Sequence, residues 1–335
     1  MTLELTTVAD DEAVAFDGVE VVHVIGLEPG SHHEVAGLSF RTLDRPPGER
    51  LATVAAVNDV HFGEEVAGVL GGRSTAPTFS VEPGETPYPE VMNRAAVAEI
   101  SAVDPDVVVV KGDLTADGTL DQVQAFHDCY GSAFGEQLIW IQGNHESYHE
   151  VEIGSPSVQE VALPGVTLAV LDTSLPRLPT GGVSDDQLEW LDELASRADR
   201  PVLVFGHHHA WDPGSRTRSP TYFGINPDDS ERLVEVVARR RSIVGYLAGH
   251  THRNRVRRFQ ATGEVPWVEV ACVKDFPGAW AEYRVFEGGI LQVFRRISAP
   301  EALEWSERTR GMFEGLYPEY AFGELGDRCF AFPTR

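Results

Sequence analysis

Five short segments concentrate the side chains that could do chemistry: Asp59-Val60-His61, Gly112-Asp113, Gly143-Asn144-His145-Glu146, Gly206-His207-His208-His209 and Gly249-His250-Thr251-His252. They hold seven of the chain's twelve histidines. Carboxylate oxygen, amide oxygen and imidazole nitrogen together suit a transition-metal or manganese ion, and a cation so held can activate water for hydrolysis. Asp59 and His61 stand two apart, and in ideal strand geometry that spacing aims both at one face. Gly112-Asp113 follows Val107 to Val110, and an acid ending a buried strand needs a partner to offset its desolvation. Asn144 is a neutral oxygen donor, which leaves a bound cation enough charge to act as a Lewis acid, and Gly143 permits a tight turn beside it.

Each segment alone has a plainer reading. Asp59 and His61 could be a solvated strand end, Asp113 a helix cap, Asn144 a turn residue, and His207 to His209 a surface tract. A turn leaves His145 unexplained, however, and two separate histidine clusters at strand ends point to metal.

The elements that must position these side chains are legible between them. Apolar, β-branched runs at Leu51 to Val57, Val107 to Val110, Gln137 to Ile141, Pro201 to Phe205 and Ser242 to Ala248 each feed one segment. Helical patterns cover Pro89 to Val103, Leu120 to Tyr130, Asp185 to Ala198 and Pro227 to Arg241, the third opened by a capping box of Ser184 and Gln187. A Gly-, Pro-, Ser- and Glu-rich loop from Gly63 to Tyr88 is long enough to be a functional rim or a mobile insertion. Strand-like runs follow at Val265 to Cys272, Ala279 to Phe286 and Ile290 to Arg296, with Glu287-Gly288-Gly289 as a hairpin turn.

The ends of the chain differ from this alternation. Val19 to Ile25 and His33 to Leu43 read as two strands, and Glu28 to Val35 resembles a corner of fibronectin type III modules with His33 in place of their tyrosine. About fifty residues cannot complete a seven-stranded sandwich, so a β appendage is expected. The expected division is residues 1–50 for appendage and linker, 51–297 for the main domain, and 298–335 for a helical, aromatic tail that could form a lid, a strut or a homodimer contact.

Composition limits the partners. A net charge of −25, from 27 basic and 52 acidic residues, repels extended nucleic acid, whose binding rests on Lys and Arg contacts to phosphate. Small anions stay admissible where bound cations reverse the local field. No apolar run reaches the roughly 18 residues of a membrane span, and the first residues lack the basic start and apolar core of a secretory signal. A cytoplasmic location is therefore expected. Cys129, Cys272 and Cys329 are scattered and odd in number, and read as buried apolar residues.

In this order the segments resemble the calcineurin-like metallophosphoesterase superfamily, whose motifs Asp-x-His, Gly-Asp, Gly-Asn-His-Asp/Glu, His and Gly-His-x-His all occur between residues 51 and 297. The resemblance implies an α/β fold, a four-layer α-β-β-α sandwich of two mixed sheets, here with the N-terminal β appendage. It also implies two metal ions, manganese, iron or zinc. Asp59, His61 and His252 would hold one and Asn144, His207 and His250 the other, with Asp113 bridging. His207 is favoured over its neighbours because family members often read His-His-Pro here. The implied reaction is attack on phosphorus by a hydroxide generated between the metals, with His145 protonating the leaving oxygen or stabilising its charge. Glu146 would support the site from behind or lie at the surface. His208 would face substrate or orient a ligand. Arg253, with Arg255 and Arg257, would bind phosphate or form a salt-bridged strand edge.

Gly112-Asp113-Leu114-Thr115-Ala116-Asp117 and Gly249-His250-Thr251-His252-Arg253-Asn254 are similar to the class III cyclic-nucleotide phosphodiesterase branch. The appendage and Glu146 suggest purple acid phosphatases, but Ala116 stands where those enzymes carry their chromophoric tyrosine. The expectation is a phosphodiesterase on a small phosphoester such as a cyclic nucleotide. A phosphatase, a nuclease or a phospholipid-head-group hydrolase of the same superfamily is the alternative, and a non-catalytic scaffold the least favoured.

Overall fold

The computed structural model describes residues 3–70, 73–148 and 153–333. Two six-stranded mixed sheets form its centre. In the first sheet the spatial order is Leu138–Ile141, Val107–Lys111, Arg50–Val57, Ala279–Phe286, Gly289–Arg296 and Phe330–Ala331. The first three strands are mutually parallel and the rest antiparallel. In the second sheet the order is Val158–Leu163, Val166–Leu171, Val202–Phe205, Ile243–Ala248, Pro266–Glu269 and Arg255–Arg258, with the middle four parallel.

Strand alternation explains why both faces of each sheet are covered. Val54, Ala56, Val107 and Val109 face Leu168, Val170, Leu203 and Phe205 of the other sheet. Their neighbours Ala55, Val57, Val108 and Val110 point outward onto Met92, Ala96 and Ile100 of the helix Tyr88–Ala102. On the far side, Val202, Val204 and Ala248 meet Leu191 of Asp185–Arg197 and Leu233 and Val237 of Pro227–Arg239. Runs buried on both faces read as continuous apolar sequence, and that is what these strands show. The result is the expected four-layer sandwich. The capping box expected at Ser184 and Gln187 is formed. No helix of the described residues is long and apolar enough to cross a membrane.

Several elements differ from the sequence reading. The hairpin Val158–Leu163/Val166–Leu171 adds an edge to the second sheet, and Pro164-Gly165 between two apolar runs is its signal. His33 to Leu43 is broken into a hairpin, His32–Val35 with Leu38–Arg41, because Ala36 and Gly37 both take positive φ. His33 Nε2 lies 3.1 Å from the Glu28 carbonyl oxygen, so the ring does span that corner. The loop after the first segment contains a hairpin of its own, Ala67–Leu70 with Arg73–Phe79.

At the N-terminus a three-stranded sheet, Glu4–Val8, Glu12–Phe16 and Val21–Ile25, packs on the outer strands of the first sheet. Thr7 Oγ1 donates to the Phe294 carbonyl at 2.7 Å. The joint is held by buried charge: the Arg284 guanidinium reaches Asp10 at 2.7 Å, Asp11 at 2.8 Å and Glu282 at 3.0 Å, and also meets Glu12. Arg295 adds contacts to Glu12 at 2.6 Å and Glu282 at 2.5 Å. Removing one member of such a set strands its partners in a poorly solvated place. Arg284→Ala is expected to lower unfolding stability by about 3 kcal/mol in urea titration at neutral pH. Burial opposes the Glu12 charge, but Arg295 and Arg284 hold its carboxyl down at about 2. That share of the stability is complete above the ordinary value of 4.5 and is lost as pH falls toward about 2.

The described residues past 297 include the helix Pro300–Thr309, a shorter helix Tyr317–Phe322 and the edge strand Phe330–Ala331. Tyr317, Ala321 and Phe322 pack into the same cluster as Phe276 and Phe294.

Candidate metal centre

All five segments lie just beyond the carboxyl ends of parallel strands. Three neighbouring strands of the first sheet supply Asp59 and His61, Asp113, and Asn144 and His145. Two neighbouring strands of the second supply His207 and His250. The open ends of facing sheets are a natural place for ligands.

The backbone there is strained in a consistent way. Asp59, His61, Asp113, His250 and His252 all have positive φ, between 47° and 68°. This costs on the order of 1–3 kcal/mol per residue and persists only where the surroundings impose it. Asp59 and His61 therefore converge through left-handed turns past the strand end, and the same-face alternation expected of them does not apply. Two glycines permit the close approach. A Cβ on Gly143 would fall 2.2 Å from Asp113 Oδ1, and one on Gly112, at φ +87°, would meet the His207 ring at 2.7 Å.

Asp113 stands at the middle. Its Oδ1 accepts from the His145 amide at 3.0 Å. Its Oδ2 lies 3.3 Å from His207 Nε2, 3.6 Å from His61 Nε2 and 3.9 Å from His145 Nε2. On one side, candidate donor atoms of Asp59, His61 and His252 fall within 4.8 Å of one another. On the other, His207 Nε2 lies 3.1 Å from Asn144 Oδ1 and 3.2 Å from His250 Nδ1.

A tautomer argument tests whether these groups suit a cation. His207 Nδ1 lies 2.8 Å from the Lys111 carbonyl, which can only accept, so Nδ1 carries the proton. In its neutral form the ring would aim a lone pair from Nε2 at an amide oxygen, a carboxylate oxygen and a second imidazole nitrogen. Electron donors converging without a proton between them repel, and a cation resolves the repulsion. The buried Nε2 atoms of His61 and His250 have no hydrogen-bond partner among the described residues. Burial opposes a charged His207, yet Asp113 and Asp59 carry the ring up to about 9, so this spot draws positive charge, which a proton on Nε2 or a bound cation can supply. Burial likewise opposes the Asp59 carboxylate, while His252 and His207 hold it at about 2.

The remaining sequence candidates are placed unevenly. His145 Nδ1 lies 2.6 Å from the Ala116 carbonyl, which leaves Nε2 facing the cluster. Glu146 is fully buried, which removes the surface alternative. One of its oxygens accepts from Thr115 N at 2.7 Å and Thr115 Oγ1 at 2.6 Å, the other from Gly143 N at 2.7 Å, so it ties two of the turns together. Burial and then Asp113 push the Glu146 carboxyl up, against those hydrogen bonds. His208 is buried with Nδ1 2.9 Å from Thr173 Oγ1, and its ring packs beside His207 and His250. His209 turns away to Tyr222 Oη, 2.8 Å distant. Arg253 directs Nε and one NH to Glu269 at 2.9 and 2.8 Å, and Arg257 Nε lies 3.5 Å from the same carboxylate. Arg255 is exposed. The Arg run is thus a salt-bridged edge, with Glu269 also accepting from Thr251 Oγ1 at 2.9 Å.

Sequence reasoning missed the residues behind the ligands. Glu64 Oε2 lies 2.9 Å from His61 Nδ1 and Lys274 donates to Glu64 at 2.6 Å. Asp275 sits 4.0 Å from His252 Nδ1 and accepts from Tyr317 Oη at 2.7 Å. A carboxylate as near as Glu64 can fix the orientation of a candidate metal-binding imidazole. Burial and Lys274 oppose a charge on His61, but Glu64 and Asp113 carry it up to about 10.

Comparison with known proteins agrees with this geometry. Residues 52–254 match the family model of calcineurin-like phosphoesterases. The chain belongs to that family. It is a metal-dependent phosphoester hydrolase by family and by the relatives it matches. It is 25% identical over 206 residues to a probable cyclic nucleotide phosphodiesterase of Synechococcus, covering 60% of this chain and 73% of the relative. It is 28% identical over 218 residues to the 3',5'-cyclic adenosine monophosphate phosphodiesterase of Pseudomonas aeruginosa, covering 64% and 74%. A dimetal phosphatase from Danio rerio has the same fold, with a TM-score of 0.55 and 16% identity over 75% of this chain and 98% of that one.

Proposed function

We propose that this family member is a cytoplasmic phosphodiesterase acting on small phosphoesters, with cyclic nucleotides as its substrates. Asp59, His61 and His252 would hold one metal ion, Asn144, His207 and His250 the other, and Asp113 would contact both. Manganese, iron and zinc all accept such mixed nitrogen and oxygen donors. The observation that carries the reading is the convergence of Asn144 Oδ1, Asp113 Oδ2 and His250 Nδ1 on Nε2 of His207. The names of the two bacterial relatives support the choice of substrate.

Two cations at this place would acidify a water molecule and offset the charge of a phosphoryl group. The chain's own residues supply the rest. The Ala116 carbonyl fixes the proton of His145 on Nδ1, so Nε2 is the atom that exchanges a proton with the leaving oxygen. Glu146 holds the Thr115 and Gly143 turns so that Asp113 and Asn144 keep their separation. Glu64 orients His61.

The purified full chain should hydrolyse bis-(p-nitrophenyl) phosphate and cyclic AMP with added manganese, and stop on chelation. Inertness toward both with manganese, iron and zinc in turn would sink the proposal.

A further inference from the structure

Among the described residues, two aromatic side chains other than histidine are exposed, Phe223 at 50% and Tyr320 at 44%. Both border the same segment. The Phe223 ring lies against the His250 imidazole with centroids 4.0 Å apart and planes 31° from parallel. Tyr320 donates its hydroxyl hydrogen to the carbonyl of Thr251 at 3.0 Å. These rings are about a hundred residues apart in sequence, one in the loop after the histidine run and one in the tail.

Each ring is held by its neighbours. Tyr222, next to Phe223, meets His209 Nε2 at 2.8 Å, and Gly224 donates to the Tyr222 carbonyl at 2.9 Å. Gly181 N donates to the Gly224 carbonyl at 2.8 Å and Ile225 N to that of His209 at 2.9 Å, which closes the turn on both sides of Phe223. Tyr320 lies under the Arg253 guanidinium, 5.1 Å from its ring centre, and Arg253 is itself fixed by Glu269. The next residue, Ala321, receives Asn254 N at 2.9 Å. Each ring is held on one side, Phe223 by His250 and Tyr320 by Arg253, and keeps a large exposed area beside the same cluster.

The chemistry around them narrows the occupant. The rings are flat, and charged or polar groups, Arg253, Glu269, His209 and Tyr222 Oη, stand directly behind them. An acyl chain would need a continuous apolar trough. A planar heterocycle satisfies both the ring faces and the polar surroundings, since stacking on an aromatic side chain tolerates polar edges.

We infer that Phe223 and Tyr320 form a stacking subsite for the nucleobase of a nucleotide whose phosphate lies at the metal cluster, with Arg253 as the positioning residue for Tyr320. The inference rests on the phosphoester reading above. It makes the substrate a nucleoside phosphodiester and disfavours glycerol-based diesters.

The test is equilibrium binding of adenosine 5'-monophosphate and ribose 5-phosphate to the full manganese-loaded protein by calorimetry. Both carry the same phosphate and pentose, so their ratio isolates the base. Adenosine monophosphate should bind about tenfold more tightly. In Phe223→Ala the ratio should fall to about twofold, and Phe223→Trp should keep it. Arg253→Met should lower it partly while Tyr320→Ala lowers it fully. Equal affinities in the wild type, no binding of either ligand, or a ratio unmoved by both ring-to-alanine changes would overturn the subsite. Failure of hydrolysis in the chelation assay is a separate result: it removes the enzyme reading and leaves the base preference still measurable.

Discussion

Asp113→Ala is expected to reduce phosphodiester turnover on the order of 10³-fold or more, the equivalent of the several kcal/mol that cations contribute at a phosphoryl centre. Asp113 is the carboxylate that faces both halves of the cluster: its Oδ2 is 3.6 Å from His61 Nε2 and 3.3 Å from His207 Nε2. The other oxygen is already taken by the His145 amide at 3.0 Å, so the carboxylate cannot rotate away without giving up that bond. Its loss should weaken both cation sites together, whereas loss of Asn144 or His252 should weaken one. Asp113→Asn keeps the shape and one acceptor oxygen and should retain more activity than the alanine variant. Steady-state kinetics with far-ultraviolet circular dichroism as a control for folding checks this. An Asp113→Ala protein within tenfold of wild type would remove the bridging role.

His145→Ala should leave both metals in place and lower turnover by about 10²- to 10⁴-fold, the range of a positioned proton donor. The reason is local. Nδ1 is committed to the Ala116 carbonyl at 2.6 Å, Nε2 is 3.9 Å from Asp113 Oδ2, and the ring packs 4.5 Å from the His61 ring. A ring so held can serve the leaving oxygen but has no spare nitrogen for a second task. The loss should be greatest for alkoxide leaving groups, which need a proton, and small for p-nitrophenolate, which does not. Comparing cyclic AMP with bis-(p-nitrophenyl) phosphate reads that difference directly. Equal losses on both substrates would assign the His145 ring to shaping the cluster beside the His61 ring and not to proton transfer.

How much of this could be read from the sequence depends on the kind of residue. Asp59, His61, Asp113, Asn144, His207, His250 and His252 stood out as candidates because their segments follow apolar runs, and strand ends in facing sheets meet, while the family resemblance implied their division between two cations. The strands followed from the same runs, and the family resemblance implied their four layers, in which Val54 with Ala56 and Val107 with Val109 face the other sheet while their neighbours face a helix. The route by which Asp59 and His61 converge was not accessible, because positive φ at five non-glycine residues is imposed by the tertiary structure and leaves no local signature. Glu64, Glu269, Lys274 and Asp275 were invisible for a related reason. Acidic residues abound in a chain of net charge −25, and only packing shows which of them sit behind a histidine. Arg253 was left open between a phosphate ligand and a salt-bridged strand edge, because only the pairing of Arg255–Arg258 with Pro266–Glu269 shows that Glu269 meets its guanidinium.

The N-terminal strands Glu4–Val8 and Glu12–Phe16 teach the same lesson. Their short, mixed sequence gives no strong period-two pattern, and their place is set by Arg284 and Arg295 from the far end of the chain.

The central claim is that two cation sites share Asp113, and metal content measures it most directly. After manganese loading and exhaustive dialysis, mass spectrometry of the wild-type chain should find two ions per molecule, with one in Asn144→Ala. A wild-type protein that retains no metal, or an Asn144→Ala protein that still retains two ions, would contradict the account.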